Sequence, residues 1–234
     1  MTQGGSNFQA IQAHLASRER CAKAHEARGD LHIPFVTISR QAAAGGTTVA
    51  RIVAEELTAE EGGECSWTVF DRNLVDAVIE KHDLPKEVAK FISEGKTSEI
   101  RDIIESLLEL HPPAFALVKR TSETILHLAK LGHAVLIGRG ANLVTRTLRG
   151  GLHVRLIGSF DKRVHHAEEF YRVSHDEAVK KVKAEDEGRR HYVRQNFAKD
   201  IDDPFLYDMV INTDRISYED AGRIIADEVR RRKL

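Results

Sequence analysis

Hydrophobic and polar positions follow two rhythms along this chain. Short, β-branched apolar runs at residues 33–39, 67–70, 134–137, 153–157 and 209–212 predict five strands. Longer segments with apolar residues every three or four positions separate most of them and predict helices. Such alternation builds a parallel sheet with helices on both faces, and ligands then sit at the carboxyl ends of the strands. The last helix is the clearest. Ser217 is placed to cap it, Asp220 follows three residues on, and Ala221, Ile224, Ile225 and Val229 make one apolar stripe.

Three stretches depart from the sheet rhythm. Residues 72–132 read as helical throughout, with breaks at Leu84-Pro85 and at His111-Pro112-Pro113. That is far more chain than the dozen or so residues a crossover needs. Residues 160–204 are also helical in pattern and highly charged, with arginines at 163, 172, 189, 190 and 194. Residues 1–30 carry only a weak helical stripe, Phe8, Ile11 and Leu15, ending near Gly29-Asp30. They read as an N-terminal helical extension to a main domain over 31–234.

Bulk properties narrow the classes. A chain of 234 residues accommodates one α/β domain with a sizeable core. Its formal net charge of −1, with 30% charged residues, gives no reason to expect nucleic-acid binding. No apolar run approaches the roughly 18–20 residues that span a membrane, and the first residues are too polar for a signal peptide. A cytoplasmic protein without membrane contact is expected. Cys21 and Cys65 are too few and too far apart to imply a disulfide framework or a zinc site, so two unpaired thiols are expected. The 12 histidines contain no His-x-x-x-His pair, and no metal cage is read from them.

Candidate chemistry concentrates at strand ends. Residues 35–52 run from a strand through small residues into Gly45-Gly46-Thr47-Thr48 and then a helix. That order offers backbone N–H groups and a helix N-terminus to an anion. The usual phosphate loop, Gly-x-x-x-x-Gly-Lys-[Ser/Thr], would place Gly at 40 and Lys at 46. This chain has Arg40 and Gly46 instead. Ala44, Gly45, Gly46, Thr47 and Thr48 are the candidate phosphate binders, Thr47 stands in the Mg²⁺ position, and Arg40 is the candidate replacement cation. Ala42, Ala43 and Ala44 stand where glycine is common, and alanine disfavours positive φ. An ordinary strand-to-helix turn is the bland alternative. Asp71, directly after the second strand, suits either Mg²⁺ or a helix N-cap. Arg72 beside it is placed for an acceptor phosphate. Arg139, between Gly138 and Gly140, offers a bidentate fork where packing gives little reason for one.

Several segments together resemble the cytidylate kinase-like family, a nucleoside monophosphate kinase branch with an altered phosphate loop. They are Thr37-Ile-Ser-Arg-Gln, Gly45-Gly46, Phe70-Asp71-Arg72-Asn73-Leu74, Ile137-Gly138-Arg139-Gly140 and Tyr207-Asp-Met-Val-Ile-Asn-Thr213. Their order and spacing carry the resemblance, which covers about residues 33–230. It implies an α/β, three-layer P-loop kinase fold with a five-stranded parallel sheet. It also implies a helical monophosphate-binding insertion at about 72–132 and a mobile helical lid at about 183–204. ATP and Mg²⁺ are the implied cofactors, and a nucleoside monophosphate such as CMP or dCMP is the implied acceptor.

By the same resemblance, Arg40, Asp71, Arg139, Arg190 and Arg194 would be catalytic, and Thr47 and Asp71 would serve the metal. The 44–48 backbone, Arg189, Asn212 and Thr213 would bind the donor, and Arg72, Arg139 and Asp186 the acceptor. Asp186 and Arg190, like Arg190 and Arg194, are spaced to share a helix face, with Gly188 as a hinge. A solvated helix of alternating charge is the alternative there, and turn formation is the alternative for Asn212-Thr213. Cytidylate kinases hold Gly-Arg-Asp where this chain has Gly138-Arg139-Gly140, which removes an acceptor-recognising group. A kinase of a small non-nucleotide metabolite and a non-catalytic nucleotide sensor therefore stay open. The apolar residues of 100–128 fit burial in the monomer or in a homodimer.

Overall fold

The computed structural model describes His14, Ser17, Cys21 and residues 33–60, 65–71 and 116–232. All five expected strands form: β1 (Phe35–Arg40), β2 (Thr68–Phe70), β3 (Ala134–Ile137), β4 (Gly151–Ile157) and β5 (Met209–Asn212). They pair in the order β2-β3-β1-β4-β5, and every pairing is parallel. Among the described residues the helices are α1 (Gly46–Glu60), α2 (Ala116–Leu131), α3 (Ala141–Val144), α4 (Phe160–Tyr171), α5 (His175–Phe197) and α6 (Tyr218–Arg232). None is long and apolar enough to cross a membrane.

Side-chain alternation divides the sheet. Val36, Ile38, Val135, Ile137, Leu152, Val154 and Leu156 point to one face and pack on Val49, Val53 and Leu57 of α1 and Ala221, Ile225 and Val229 of α6. Each fully buried aliphatic side chain there contributes about 1.5–3 kcal/mol of transfer free energy. Ser217 caps α6 as expected, its Oγ accepting from the Asp220 amide at 3.0 Å. Ile224, assigned to the apolar stripe, stands 38% exposed, and Ala226 is buried in the core with Ile225. Gly222 lets α6 lie close against α1, since a Cβ there would stand 2.4 Å from Ile52 Cγ2.

The other face of β1 and β4 carries polar side chains beyond Phe35. Thr37 hydrogen-bonds His153 at 2.8 Å, and Arg155 donates to Ser39 at 3.0 Å and pairs with Asp202. Burial holds the His153 imidazole below its ordinary pKa.

Two expectations need correction. The cysteines are not separate thiols: Cys21 and Cys65 form a disulfide. The pairing joins residues 44 positions apart in sequence, and spacing alone carries no trace of it. Gly188 is not a hinge between helices: α5 runs as one 23-residue helix straight through it. That helix starts from a complete capping box between Ser174 and Glu177. The helical stripe Phe8, Ile11 and Leu15 and most of the 72–132 insertion, Arg72 included, lie outside the described residues. Of the apolar stretch 100–128, Ile125, Leu126 and Leu128 are buried within the monomer.

Candidate functional site

β1 ends at Arg40 and the chain turns through residues 41–45 into α1. Ala43 takes φ 57° and Gly45 φ 78°. A left-handed alanine costs about 1–2 kcal/mol, so neighbours must hold it. Asp186 accepts the Ala42 amide at 2.7 Å on Oδ1 and the Arg163 guanidinium at 2.7 Å on Oδ2. Arg163 also donates to the Ala42 carbonyl at 3.0 Å. His166 meets the Ala43 carbonyl at 2.8 Å and Tyr218 Oη at 2.8 Å. Arg189 donates to the Arg40 carbonyl at 3.2 Å, and the Gln41 side chain accepts from the Gly158 amide at 2.9 Å. Tyr218 packs so close to Gly45 that a Cβ there would stand 2.3 Å from its ring.

With the loop fixed from outside, its inner amides remain open. Among the described residues no acceptor meets the N–H groups of Gly45, Gly46, Thr47 and Thr48. They form the first turn of α1, where the helix dipole adds partial positive charge. That is an anion cradle in both geometry and sign.

Arg40 occupies the room that Gly46 and Gly138 leave. A Cβ on Gly46 would stand 2.9 Å from Arg40 Cγ, and one on Gly138 would stand 2.1 Å from Arg40 Nη1. The Arg40 stem therefore passes over position 46, and its guanidinium reaches the turn after β3. Burial, then the neighbouring Arg189, pull its pKa down to about 10, with Glu185 and Asp71 acting in opposition. It remains a cation at neutral pH.

That turn is unusual. Gly138, Arg139 and Gly140 take φ 75°, 54° and 68°, three left-handed residues in succession. For arginine this conformation is strained, and the strain aims its side chain beside the Tyr192 ring, 5.9 Å from guanidinium carbon to centroid. Gly140 faces Phe197: a Cβ there would stand 2.4 Å from its ring.

These parts enclose a cavity of about 770 Å³ at the carboxyl ends of β1 and β3. Arg40, Thr47, Asp71, Gly138, Arg139 and Gly140 line it from the sheet side, and Lys181, Glu185, Arg189 and Tyr192 from α5. Its described lining holds four cations (Arg40, Arg139, Lys181, Arg189) against two anions (Asp71, Glu185). The balance favours an anionic occupant. Burial lowers the Arg189 pKa, and Glu185, accepting from it at 2.8 Å, works the other way. The Thr47 hydroxyl and Asp71 carboxylate on one cavity wall are hard oxygen donors, the chemistry Mg²⁺ takes alongside phosphate oxygens.

The sequence-derived set thus divides. Arg40, Thr47, Asp71, Arg139 and Arg189 converge on the cavity. Arg190 instead pairs with Asp202 at 2.9 Å, and Arg194 is exposed on α5, outside the cavity lining. Asp186, read as an acceptor ligand, holds the loop from behind with both oxygens. Asn212 lines a second cavity of about 520 Å³ with Gln41, Gly158 and Asp214, and Thr213 turns its hydroxyl back to the Ile157 carbonyl at 3.1 Å. Sequence reasoning missed Lys181 and Tyr192. Lys181, Glu185 and Arg189 recur every four residues, a one-face signal that does point to them. Arg163, His166 and Tyr218 gave no local signal, because they reach the loop from over a hundred residues away.

No curated protein matches the sequence. The crystal structure of an uncharacterized protein from Eubacterium ventriosum ATCC 27560 shares the fold, with a TM-score of 0.62 at 17% identity. That match covers 85% of this chain and 98% of the other. A model of the cytidylate kinase-like family matches residues 35–215, a span that holds all five strands, the loop, the Gly138–Gly140 turn and α5. The chain belongs to the cytidylate kinase-like family.

Proposed function

We propose that this protein is an ATP- and Mg²⁺-dependent phosphotransferase acting on a nucleoside monophosphate, with CMP or dCMP as the first acceptors to test. The observation that carries the reading is the exchange of residues at positions 40 and 46. The usual loop has Gly and Lys there; this one has Arg and Gly, and Arg40 fills the space that Gly46 leaves. Arg40 and Thr47 thus line one cavity, and Thr47 belongs to the turn whose four amides at 45–48 are open. Phosphoryl transfer asks for positioning and positive charge more than for covalent chemistry. In this reading the 45–48 amides and Arg40 hold the donor phosphates, and Thr47 and Asp71 serve the metal. Arg139, Lys181 and Arg189 gather the acceptor phosphate and the transferring group. Thr47 and Asp71 would hold Mg²⁺, whose charge would neutralise that of the phosphates. A phosphate acceptor is already ionised at neutral pH, so no general base is required.

An ADP-release assay over a panel of nucleoside monophosphates tests the class. Acceptor-dependent ADP supports the reading, and ATP binding without ADP from any acceptor would sink it. One observation favours a second reading, a small non-nucleotide acceptor. Phe197 fills the space beside Gly140, where cytidylate kinases carry an aspartate toward the acceptor. Including small phosphorylated and carboxylated metabolites in the same panel separates the two.

A further inference from the structure

At the opposite end of the sheet from the cavity, three groups meet that the proposed reaction does not use. Cys21 and Cys65 are 0% and 5% exposed, and His133 is 0% exposed. Their ligating atoms all lie within 4.8 Å of one another. Three separate pieces of chain deliver them: the N-terminal helix, the approach to β2, and the turn before β3. In that turn Gly132 and His133 both take left-handed conformations, φ 73° and 48°. Backbone of that kind is kept where a side chain must be held in one place.

Three described helical positions meet the chain at β2. His14, Ser17 and Cys21, spaced three and four residues apart, share one face. Cys21 bonds Cys65, Ser17 Oγ accepts the Ser66 amide at 3.2 Å, and His14 Nδ1 meets Thr68 Oγ1 at 2.9 Å. His14 also stands edge-on to Phe70, ring centroids 5.1 Å apart. β2 is an edge strand, and Asp71 of the cavity wall follows Phe70 directly. The family match begins at residue 35, so Cys21 lies outside the span shared with the family and Cys65 inside it. The bridge therefore ties a residue outside the family-matched span to one inside it.

We propose that Cys21 and Cys65 are a site of reversible thiol–disulfide exchange that latches the N-terminal helix onto β2. The oxidant class is a small disulfide such as glutathione disulfide. One cysteine loses its thiol proton to His133, and its thiolate attacks a glutathione sulfur, releasing glutathione thiolate. The second cysteine displaces the other glutathione from the mixed disulfide. Two electrons and the two thiol protons pass to two glutathione molecules, and the Cys21–Cys65 bond forms. Both sulfurs are buried, so exchange proceeds through local undocking of the helix. Closing a ring of this length favours the docked chain by roughly two to three orders of magnitude. The latch does not depend on the proposed function.

The full chain is treated with dithiothreitol or glutathione disulfide under native conditions. Intact mass, limited proteolysis and the emission of Trp67 are then followed. Trp67 is the single tryptophan, two residues from Cys65 and 5.2 Å from the His133 ring. Reduction should add two hydrogens, brighten Trp67 as the quenching disulfide opens, and speed cleavage ahead of residue 33 at least about tenfold. Glutathione disulfide should reverse all three. Cys21→Ser should behave as the reduced protein in either buffer, and His133→Gln should slow reoxidation near neutral pH while the final mass is unchanged. If the bridge survives millimolar dithiothreitol and opens only in denaturant, it is a permanent staple and the proposal fails. If reduced and oxidised chains are cleaved equally, the latch fails. If the reduced chain holds an equivalent of zinc that glutathione disulfide does not expel, the three groups are a metal site instead. None of these readouts needs kinase activity, so a failure here is distinct from a failure of the proposed reaction.

Discussion

Arg40 and Gly46 work as a pair, because the arginine stem crosses the space a side chain at 46 would need. Restoring the usual lysine by Gly46→Lys alone should lower turnover, since its Cβ meets Arg40 Cγ at 2.9 Å. Arg40→Gly removes the cation, and kcat for ADP formation should drop about 10²–10³-fold, the scale of losing one preorganised charge at a phosphoryl or oxyanion centre. The double change Arg40→Gly with Gly46→Lys should recover part of that loss. A double-mutant cycle on kcat then reads strong coupling between the two positions, and additive effects would show that they act separately. Gly138 belongs to the same arrangement. Its φ is 75°, and a Cβ there would stand 2.1 Å from Arg40 Nη1. Gly138→Ala should therefore both strain the turn and displace the guanidinium.

α5 joins the loop and the cavity wall into one unit. It supplies Asp186 to the outside of the loop and Lys181, Glu185 and Arg189 to the inside of the cavity. Asp186→Ala leaves Arg163 as a buried charge without its carboxylate, a change that costs about 3–5 kcal/mol. Urea unfolding should report that loss, while an acceptor-binding role for Asp186 would instead raise KM at unchanged stability. The strands and α6 were legible in the sequence because β-branched runs and a three-four apolar period are local signals. The loop was legible for the same reason, as a strand, small residues and a helix start in fixed order. What held the loop was not, since Arg163, His166 and Tyr218 are ordinary helix residues until the fold brings them to residues 42–45. The hinge read at Gly188 failed on similar grounds. A glycine within a long, well-capped helix stays helical when the flanking residues are tied down by Asp186 and Arg189.

At the scale of the whole molecule, two half-buried histidines tie stability to pH. Burial, the dominant cause for both, lowers the pKa of His153 and of His127 from 6.5. The unfolded chain therefore takes up these protons first. Stability present above about pH 6.5 should fall as pH drops below that value toward the folded-state pKa values. Thermal unfolding at pH 7.5 and 5.5 should show the lower Tm in acid, and His153→Gln should flatten that dependence. The Cys21–Cys65 bridge is the other whole-molecule feature, and composition argued against it. A two-cysteine chain gives no framework to recognise, and only the docking of the N-terminal helix on β2 brings the two sulfurs together. The proposed phosphotransferase site depends on Arg40 supplying the charge missing from position 46. The most direct test is the rate of ADP release from MgATP with CMP, dCMP and other nucleoside monophosphates. Acceptor-dependent ADP from the wild-type chain is the expected result, and ATP binding without ADP from any acceptor would contradict the proposed reaction.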